Sequence, residues 1–157
     1  CSKLTTLPPY KDAGDICTVS MNESESLFDY KVSGKAIEWM QLAQKLQRPF
    51  FIAVGIRRPH LDWAIPKEFF ALYAEADVGL PRQPSLPKSI HSIAWSNEAF
   101  EKASLNGSTW KNMGPFNQSL PDRVIQELRR GYYGAVSWID SQMGRVLNEL
   151  EASGQMN

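Results

Sequence analysis

Cysteine is scarce in this sequence of 157 residues, which contains only Cys1 and Cys17. The two could pair, but nothing in their spacing requires a disulfide. The sequence has no C-x-x-C pair, and neither cysteine has a histidine at zinc-ligand spacing, so a structural zinc site is not expected. The length is nevertheless enough for one domain with a substantial hydrophobic core.

An excess of charge of either sign is also missing. Lys plus Arg and Asp plus Glu number 17 each, so the formal net charge is zero. This balance argues against a strongly basic nucleic-acid-binding protein. No apolar run approaches the roughly 18–20 residues that a membrane-spanning helix needs, so a membrane is not an expected partner either. The chain starts at Cys1 without a signal peptide, which predicts a processed or partial sequence and leaves its compartment open.

The most strand-like stretch is FFIAVGI, which covers residues 50–56. It is apolar on both faces, as is typical of a strand inside a parallel sheet with helices on both sides. A helix is predicted just before it, over residues 34–47. A helix followed at once by such a strand favours an α/β fold with helices packed on a mostly parallel sheet. Ligands of such sheets bind beyond the carboxyl ends of the strands, so Arg57, Arg58 and His60 predict a site.

The clearest helix lies near the carboxyl-terminal end, where Pro121 and Asp122 open it and Gly154 ends it. Its apolar residues recur at steps of three and four, namely Ile125, Leu128, Tyr132, Ala135, Val136, Ile139, Met143, Val146, Leu147 and Leu150. Glycines 131, 134 and 144 each cost this helix about 1 kcal/mol relative to alanine, which predicts close packing or a kink. Short helices are predicted after Pro66 and after Ser96.

Two segments resemble the sulfatase family. FFIAVGIRRPHLDWAIP, residues 50–66, resembles the sulfatase pattern pFFlavgyhkPHxPfxxP. RRGYYGAVSWIDSQMGRVLNEL, residues 129–150, is similar to the sulfatase helix pattern Y.a.vs.lD.qvGrvL..L. The resemblance covers roughly residues 30–154 and points to the iduronate-2-sulfatase-like branch.

The resemblance implies an alkaline-phosphatase-like α/β fold and hydrolysis of sulfate esters by a formylglycine nucleophile with a calcium ion. The C-x-P-S-R or S-x-P-x-R motif of the nucleophile is not in the sequence. The family's two metal-ligand motifs, an Asp-Asp pair and Asp-His/Asn-Gly, are missing too. Residues 1–157 are therefore expected to be the middle segment of a sulfatase catalytic domain. Such a segment should hold no metal ligands, depend on the remaining segments of the domain and be inactive alone.

One motif of the family carries over residue by residue, because its Lys-Pro-His corresponds to Arg58-Pro59-His60. His60 is the expected catalytic residue, since an imidazole can hydrogen-bond a sulfate or protonate the leaving oxygen. The alternative is a histidine that satisfies a loop backbone. Arg58 replaces the lysine as a substrate-binding residue, and its guanidinium can hold an oxyanion but cannot donate a proton. Asp62 and Trp63 are further candidates for substrate binding, although a tryptophan that anchors the loop is equally plausible.

The expected reaction is removal of sulfate from a sulfated sugar or glycosaminoglycan. A non-catalytic relative that binds an anion or sugar, and a phosphatase or phosphodiesterase of the same superfamily, remain as alternatives. Asn22, Asn106 and Asn117 begin Asn-x-Ser sequons and are candidates for glycosylation. If the source is eukaryotic, these sequons favour a secreted or lysosomal protein. The expected compartment is lysosomal, extracellular or periplasmic. The other histidine, His91, is expected to be a surface residue.

Overall fold

The computed structural model describes residues 2–3, 16–19, 21–60, 63–83 and 122–155. Its elements are β1 (Ser2–Lys3), β2 (Ile16–Val19), a 3₁₀ helix (Met21–Ser26), α1 (Phe28–Lys45), β3 (Trp63–Pro66), α2 (Lys67–Ala71), a second 3₁₀ helix (Glu75–Asp77) and α3 (Asp122–Ala152). No helix within these ranges has the length and apolarity to cross a membrane. Several predicted features lie outside the described residues, namely Cys1, Asp62, His91, the helix after Ser96, Asn106 and Asn117.

The three strands form one sheet in the order β1-β2-β3. β1 runs antiparallel to β2, with Ser2 opposite Thr18. β2 runs parallel to β3, and their register places Ile16 opposite Trp63. Parallel neighbours require a crossover connection, and α1 lies in the stretch of chain that joins them. Helices on a partly parallel sheet agree with the predicted α/β class.

The strand predicted for residues 50–56 is wrong, because this segment belongs to no strand or helix of the structure. Its side chains alternate between exposed and half-buried, and Phe51 is 92% exposed. The half-buried side, which includes Ile52 and Val54, bounds a groove of about 210 Å³ against Trp39 of α1. A strand needs a hydrogen-bonded neighbour, and the described sheet does not include this segment.

The first long helix, α1, begins at Phe28, well before the predicted start at Gly34. Asp29 lies in its first turn, where a negative charge is favoured by the helix dipole. Gly34 lies inside the helix, and a Cβ there would meet nothing within 4 Å. Close packing therefore does not require a glycine at this position. Gly34 lowers the stability of the helix by about 1 kcal/mol relative to alanine.

Both long helices end in the same hydrogen-bond pattern. At the end of α1, the Arg48 N–H donates to the Ala43 carbonyl over 3.1 Å, and Gln47 takes a positive φ of 50°. At the end of α3, the Gln155 N–H donates to the Leu150 carbonyl over 3.2 Å. These are Schellman motifs, which normally place glycine in the left-handed position. α3 has Gly154 there, as predicted, whereas α1 has glutamine.

The hydrophobic core lies where α3 packs on β3 and α2. Its buried members are Leu27, Ile65, Phe70, Ala135 and Trp138. A Cβ on Gly134 would lie 2.8 Å from Ile65 Cδ1 and 3.1 Å from the Phe69 carbonyl oxygen. This confirms the predicted close packing at Gly134, whereas a Cβ on Gly144 would meet nothing within 4 Å.

A buried polar cluster fixes α1 against α3. Ser33 on α1 and Gln142 on α3 are 0% and 2% exposed, and the Ser33 hydroxyl lies 3.0 Å from Gln142 Oε1. Arg145 Nη1 donates to both, over 3.0 and 2.7 Å. The Arg145 guanidinium also lies 3.9 Å from the centre of the Tyr30 ring. Because buried polar groups need their partners, this cluster sets the position of α1 along α3.

Candidate functional site

The predicted motif Arg58-Pro59-His60 forms a tight turn shortly after the apolar segment 50–56. The His60 N–H donates to the Arg57 carbonyl over 3.0 Å, which closes the turn. The peptide bond between Arg58 and Pro59 is cis. The structure therefore brings Arg57, Arg58 and His60 together within one four-residue turn.

A carboxylate from α1 holds one side of this turn. Asp29 Oδ1 accepts the Arg57 backbone N–H over 2.7 Å. Asp29 Oδ2 lies 3.7 Å from Arg58 Nη1, with side chains only 1% and 6% exposed, respectively. A buried ion pair of this kind loses its compensation if either partner is removed. The turn is thus fixed to α1 by a hydrogen bond and an ion pair at once.

The Arg58 guanidinium points into the protein. Its Nε and Nη1 atoms are buried and have no hydrogen-bond acceptor among the described residues. Buried N–H groups normally have an acceptor, so these two atoms retain donor capacity that Asp29 does not use. Sulfate binding by Arg58 stays a prediction, and it would require an oxyanion to reach nitrogens that are shielded from solvent.

Trp63 holds the other side of the turn. Its indole N–H donates to the Pro59 carbonyl over 2.7 Å. Its ring meets Tyr132 of α3 edge to face, with centroids 6.0 Å apart and planes at 78°. This contact is the loop-anchoring role that the sequence left open beside sugar binding. Sugar binding by Trp63 stays a prediction.

His60 is exposed at the end of this anchored turn. An imidazole has two ring nitrogens that can accept or donate a proton near neutral pH. Here it is carried by a backbone that Asp29 and Trp63 tie to two different helices. The arrangement can present one proton-transfer or anion-binding group to a substrate from a fixed position.

A calcium site does not fit the described residues. Calcium takes six to eight oxygen ligands, most of them carboxylates and carbonyls. Within the described ranges, no three His, Cys, Asp or Glu side chains lie close enough together to hold a metal ion. Asp29, a buried carboxylate beside the motif, is already engaged with Arg57 and Arg58.

A family model for sulfatases matches residues 5–157. The chain belongs to the sulfatase family. Iduronate 2-sulfatase from Mus musculus is 30% identical over 131 residues, which cover 80% of this chain and 23% of that protein. Iduronate 2-sulfatase from Homo sapiens is 29% identical over 131 residues, which also cover 80% of this chain and 23% of that protein. An arylsulfatase from Clostridium perfringens is 26% identical over 110 residues, or 70% of this chain and 20% of that protein.

Family membership confirms the resemblance that residues 50–66 and 129–150 carry, and with it the alkaline-phosphatase-like α/β fold. This sulfatase chain spans less than a quarter of the length of the curated relatives it matches. Sulfatases generally depend on a metal ion, and in this chain the described residues supply no site for one.

Sequence reasoning missed Asp29. The residue lies 28 positions before Arg57, so no local spacing connects them. A carboxylate in the first turn of a helix is also common for reasons unrelated to function. The sequence offered one weak signal. Asp29 is an acidic residue beside an apolar helix face, and Arg57 and Arg58 are cations with which it could form an ion pair. Tyr132, which supports Trp63, was predicted only as a packing residue.

Proposed function

We propose that the protein containing this chain is a sulfuric ester hydrolase and that His60 belongs to its active site. The observation that carries this proposal is an exposed histidine on a doubly anchored turn, within a chain that the sulfatase family matches over residues 5–157. A catalytic acid or base must be held in a fixed position, and this turn meets that requirement.

In the proposed reaction, water ultimately replaces the alcohol on sulfur and sulfate is released. His60 would hydrogen-bond the sulfate or protonate the oxygen that leaves sulfur. Arg58 would stabilise negative charge, but a guanidinium cannot act as the proton donor. The formylglycine nucleophile and the calcium ion belong to what the family resemblance implies. The sequence contains neither the nucleophile motif nor the two metal-ligand motifs of the family, so the 157 residues alone are expected to be inactive.

The proposed substrate is a sulfated sugar, such as a sulfated residue of a glycosaminoglycan. Two relatives of about 30% identity are named iduronate 2-sulfatase, which supports this substrate class. The third is named only an arylsulfatase, so the sugar and the position of the ester are left open.

Turnover of sulfate esters compared with phosphate esters tests the reaction. We expect the intact protein to hydrolyse an aryl sulfate and a sulfated uronic acid disaccharide, and not an aryl phosphate or phosphodiester. His60→Ala should lower kcat for the aryl sulfate by about 10²- to 10⁴-fold, as loss of a general acid typically does. His91→Ala, at the only other histidine of the chain, is the matched control and should keep wild-type turnover.

Each alternative gives a different result. Turnover of the phosphate ester without the sulfate ester would replace the proposal with a phosphatase or phosphodiesterase. Binding of the sulfated disaccharide without turnover would make the protein a non-catalytic relative. Wild-type kcat in His60→Ala would remove His60 from the chemistry.

We also propose that the protein reaches a lysosomal, extracellular or periplasmic compartment. Asn22 is exposed in the first 3₁₀ helix, which is compatible with a sugar on its sequon. If the protein is secreted by a eukaryotic cell, a glycosidase should lower its mass, and Asn22→Gln should remove part of that shift.

A further inference from the structure

We propose that Asp29 is a positioning residue, which holds the turn that carries His60 and so sets the place of the imidazole in the reaction. This inference rests on the proposed function, because it assigns Asp29 a role in the activity of His60. Asp29 does not extend to the exposed side of the turn, and we do not place it in contact with substrate.

The contacts of Asp29 show how one side chain can control the turn. One carboxylate oxygen accepts the Arg57 N–H over 2.7 Å, and the other lies 3.7 Å from Arg58 Nη1. Arg57 and Arg58 are the first two residues of the turn that His60 closes. A movement of the Asp29 carboxylate is therefore transmitted to His60 through at most three peptide units.

Asp29 is itself held in place. It is 1% exposed, and it lies one turn of α1 before Ser33, which is fully buried in the cluster with Gln142 and Arg145 of α3. A continuous series of contacts thus links α3 to the turn. It runs from Gln142 and Arg145 through Ser33 and one turn of α1 to Asp29, and from there to Arg57. The carboxylate thus has the rigidity that a positioning group requires.

Loss of the carboxylate would take a contact from two groups, of which the Arg58 guanidinium is buried. The Arg58 guanidinium would lose its ion pair, and its Nε and Nη1 already have no other acceptor among the described residues. The Arg57 N–H would lose its acceptor as well. An unpaired buried charge is unstable, so the turn should shift until Arg58 reaches water.

Two substitutions of Asp29 and one control variant, made in the intact protein, measure the size of this effect. Asp29→Asn keeps an oxygen for the Arg57 N–H but loses the charge, and we expect kcat to fall about 10-fold. Asp29→Ala loses both contacts, and we expect about a 100-fold fall, the size that a misplacement of about 1 Å can produce. Glu38→Gln, at an exposed carboxylate on the same helix, is the control and should leave kcat unchanged. KM should change less than kcat, because the lost interaction acts on the catalytic group.

A double-mutant cycle separates positioning from a general structural role. If Asp29 acts through His60, Asp29→Asn should cost almost nothing further in the His60→Ala background. A merely structural role would lower the residual activity by the same factor in both backgrounds. Equal factors, or wild-type kcat in Asp29→Asn, would overturn the proposal.

Amide hydrogen exchange supplies a readout that does not depend on activity. The peptide that contains residues 52–60 should exchange faster than in wild type in both variants, and fastest in Asp29→Ala, which also loses the acceptor of the Arg57 N–H. Peptides from α3 should be unchanged in both, which excludes global unfolding. Faster exchange in a protein that hydrolyses no sulfate ester would defeat the proposed function and still support the role of Asp29 in holding the turn. Unchanged exchange in Asp29→Ala would overturn the positioning proposal whether or not the protein is active.

Discussion

Gly134 is the position where the addition of one carbon tests the packing of α3 most directly. A Cβ there would lie 2.8 Å from Ile65 Cδ1, 3.1 Å from the Phe69 carbonyl oxygen and 3.2 Å from the Phe70 Cα. Carbon atoms in contact prefer a separation of about 3.5–4.0 Å. The Ile65 methyl would therefore have to shift, and the two backbone atoms would have to give way by a smaller distance. Ile65 is fully buried and the other two atoms are backbone, which leaves little room for relaxation. Overpacking of this kind costs about 1–3 kcal/mol.

Gly144 provides the matched control on the same helix. A Cβ at Gly144 would meet nothing within 4 Å, so Gly144→Ala should stabilise the protein by up to about 1 kcal/mol through helix propensity. Gly134→Ala gains the same propensity term, so the difference in unfolding free energy between the two variants isolates the packing cost. We expect Gly144→Ala to be the more stable by about 1–3 kcal/mol.

Urea denaturation of the intact protein, followed by tryptophan fluorescence, measures this difference, provided that both variants have the same m-value. Amide exchange in peptides from α3 localises it to the helix. Equal stability of the two variants would refute the packing that the structure assigns to Gly134. Equal stability would mean that α3 can move away from β3 and α2 without a measurable cost.

Two further predictions concern single side chains. Gln47→Gly should raise the unfolding free energy by about 0.5–1 kcal/mol, because the exposed Gln47 has a φ of 50° at the end of α1, where glycine meets no steric penalty; a lower urea midpoint would contradict this. Burial raises the pKa of Glu127, against the opposing charges of Arg130 and Arg123. The folded state therefore holds this proton more tightly than the unfolded state, and stability should fall as the pH rises through the raised pKa. Glu127→Gln should flatten that fall, so its stability relative to wild type should increase from acid to neutral pH, and a parallel pair of stability–pH curves would be evidence against the shift.

The parts of the fold that local sequence predicts well are those set by local interactions. α3 was predicted at nearly its observed bounds, because its apolar period, its opening at Asp122 and its end at Gly154 are all local signals. The apolar stretch at 50–56 was misjudged for the opposite reason. Whether an extended segment becomes a strand depends on which neighbour pairs with it, and composition carries no information about that neighbour.

The candidate site divides in the same way. Arg58 and His60 stand in a recognisable motif, and the structure places them in one turn. The contacts that fix the turn come from Asp29 and Tyr132, which lie far along the chain and have common residue types for their positions. Trp63 was predicted next to the motif, but only the geometry reveals its hydrogen bond to Pro59.

The location of the anchoring carboxylate on α1 has a consequence for the interpretation of inherited or engineered variants. A substitution at Asp29 should lower the turnover of each folded molecule, whereas a larger residue at Gly134 should reduce the amount of protein and leave each surviving molecule fully active. A survey that scores only total activity in a cell extract would place both in one class. Quantifying the protein in the same extract would separate them, and only the second kind would respond to a small molecule that stabilises the folded state.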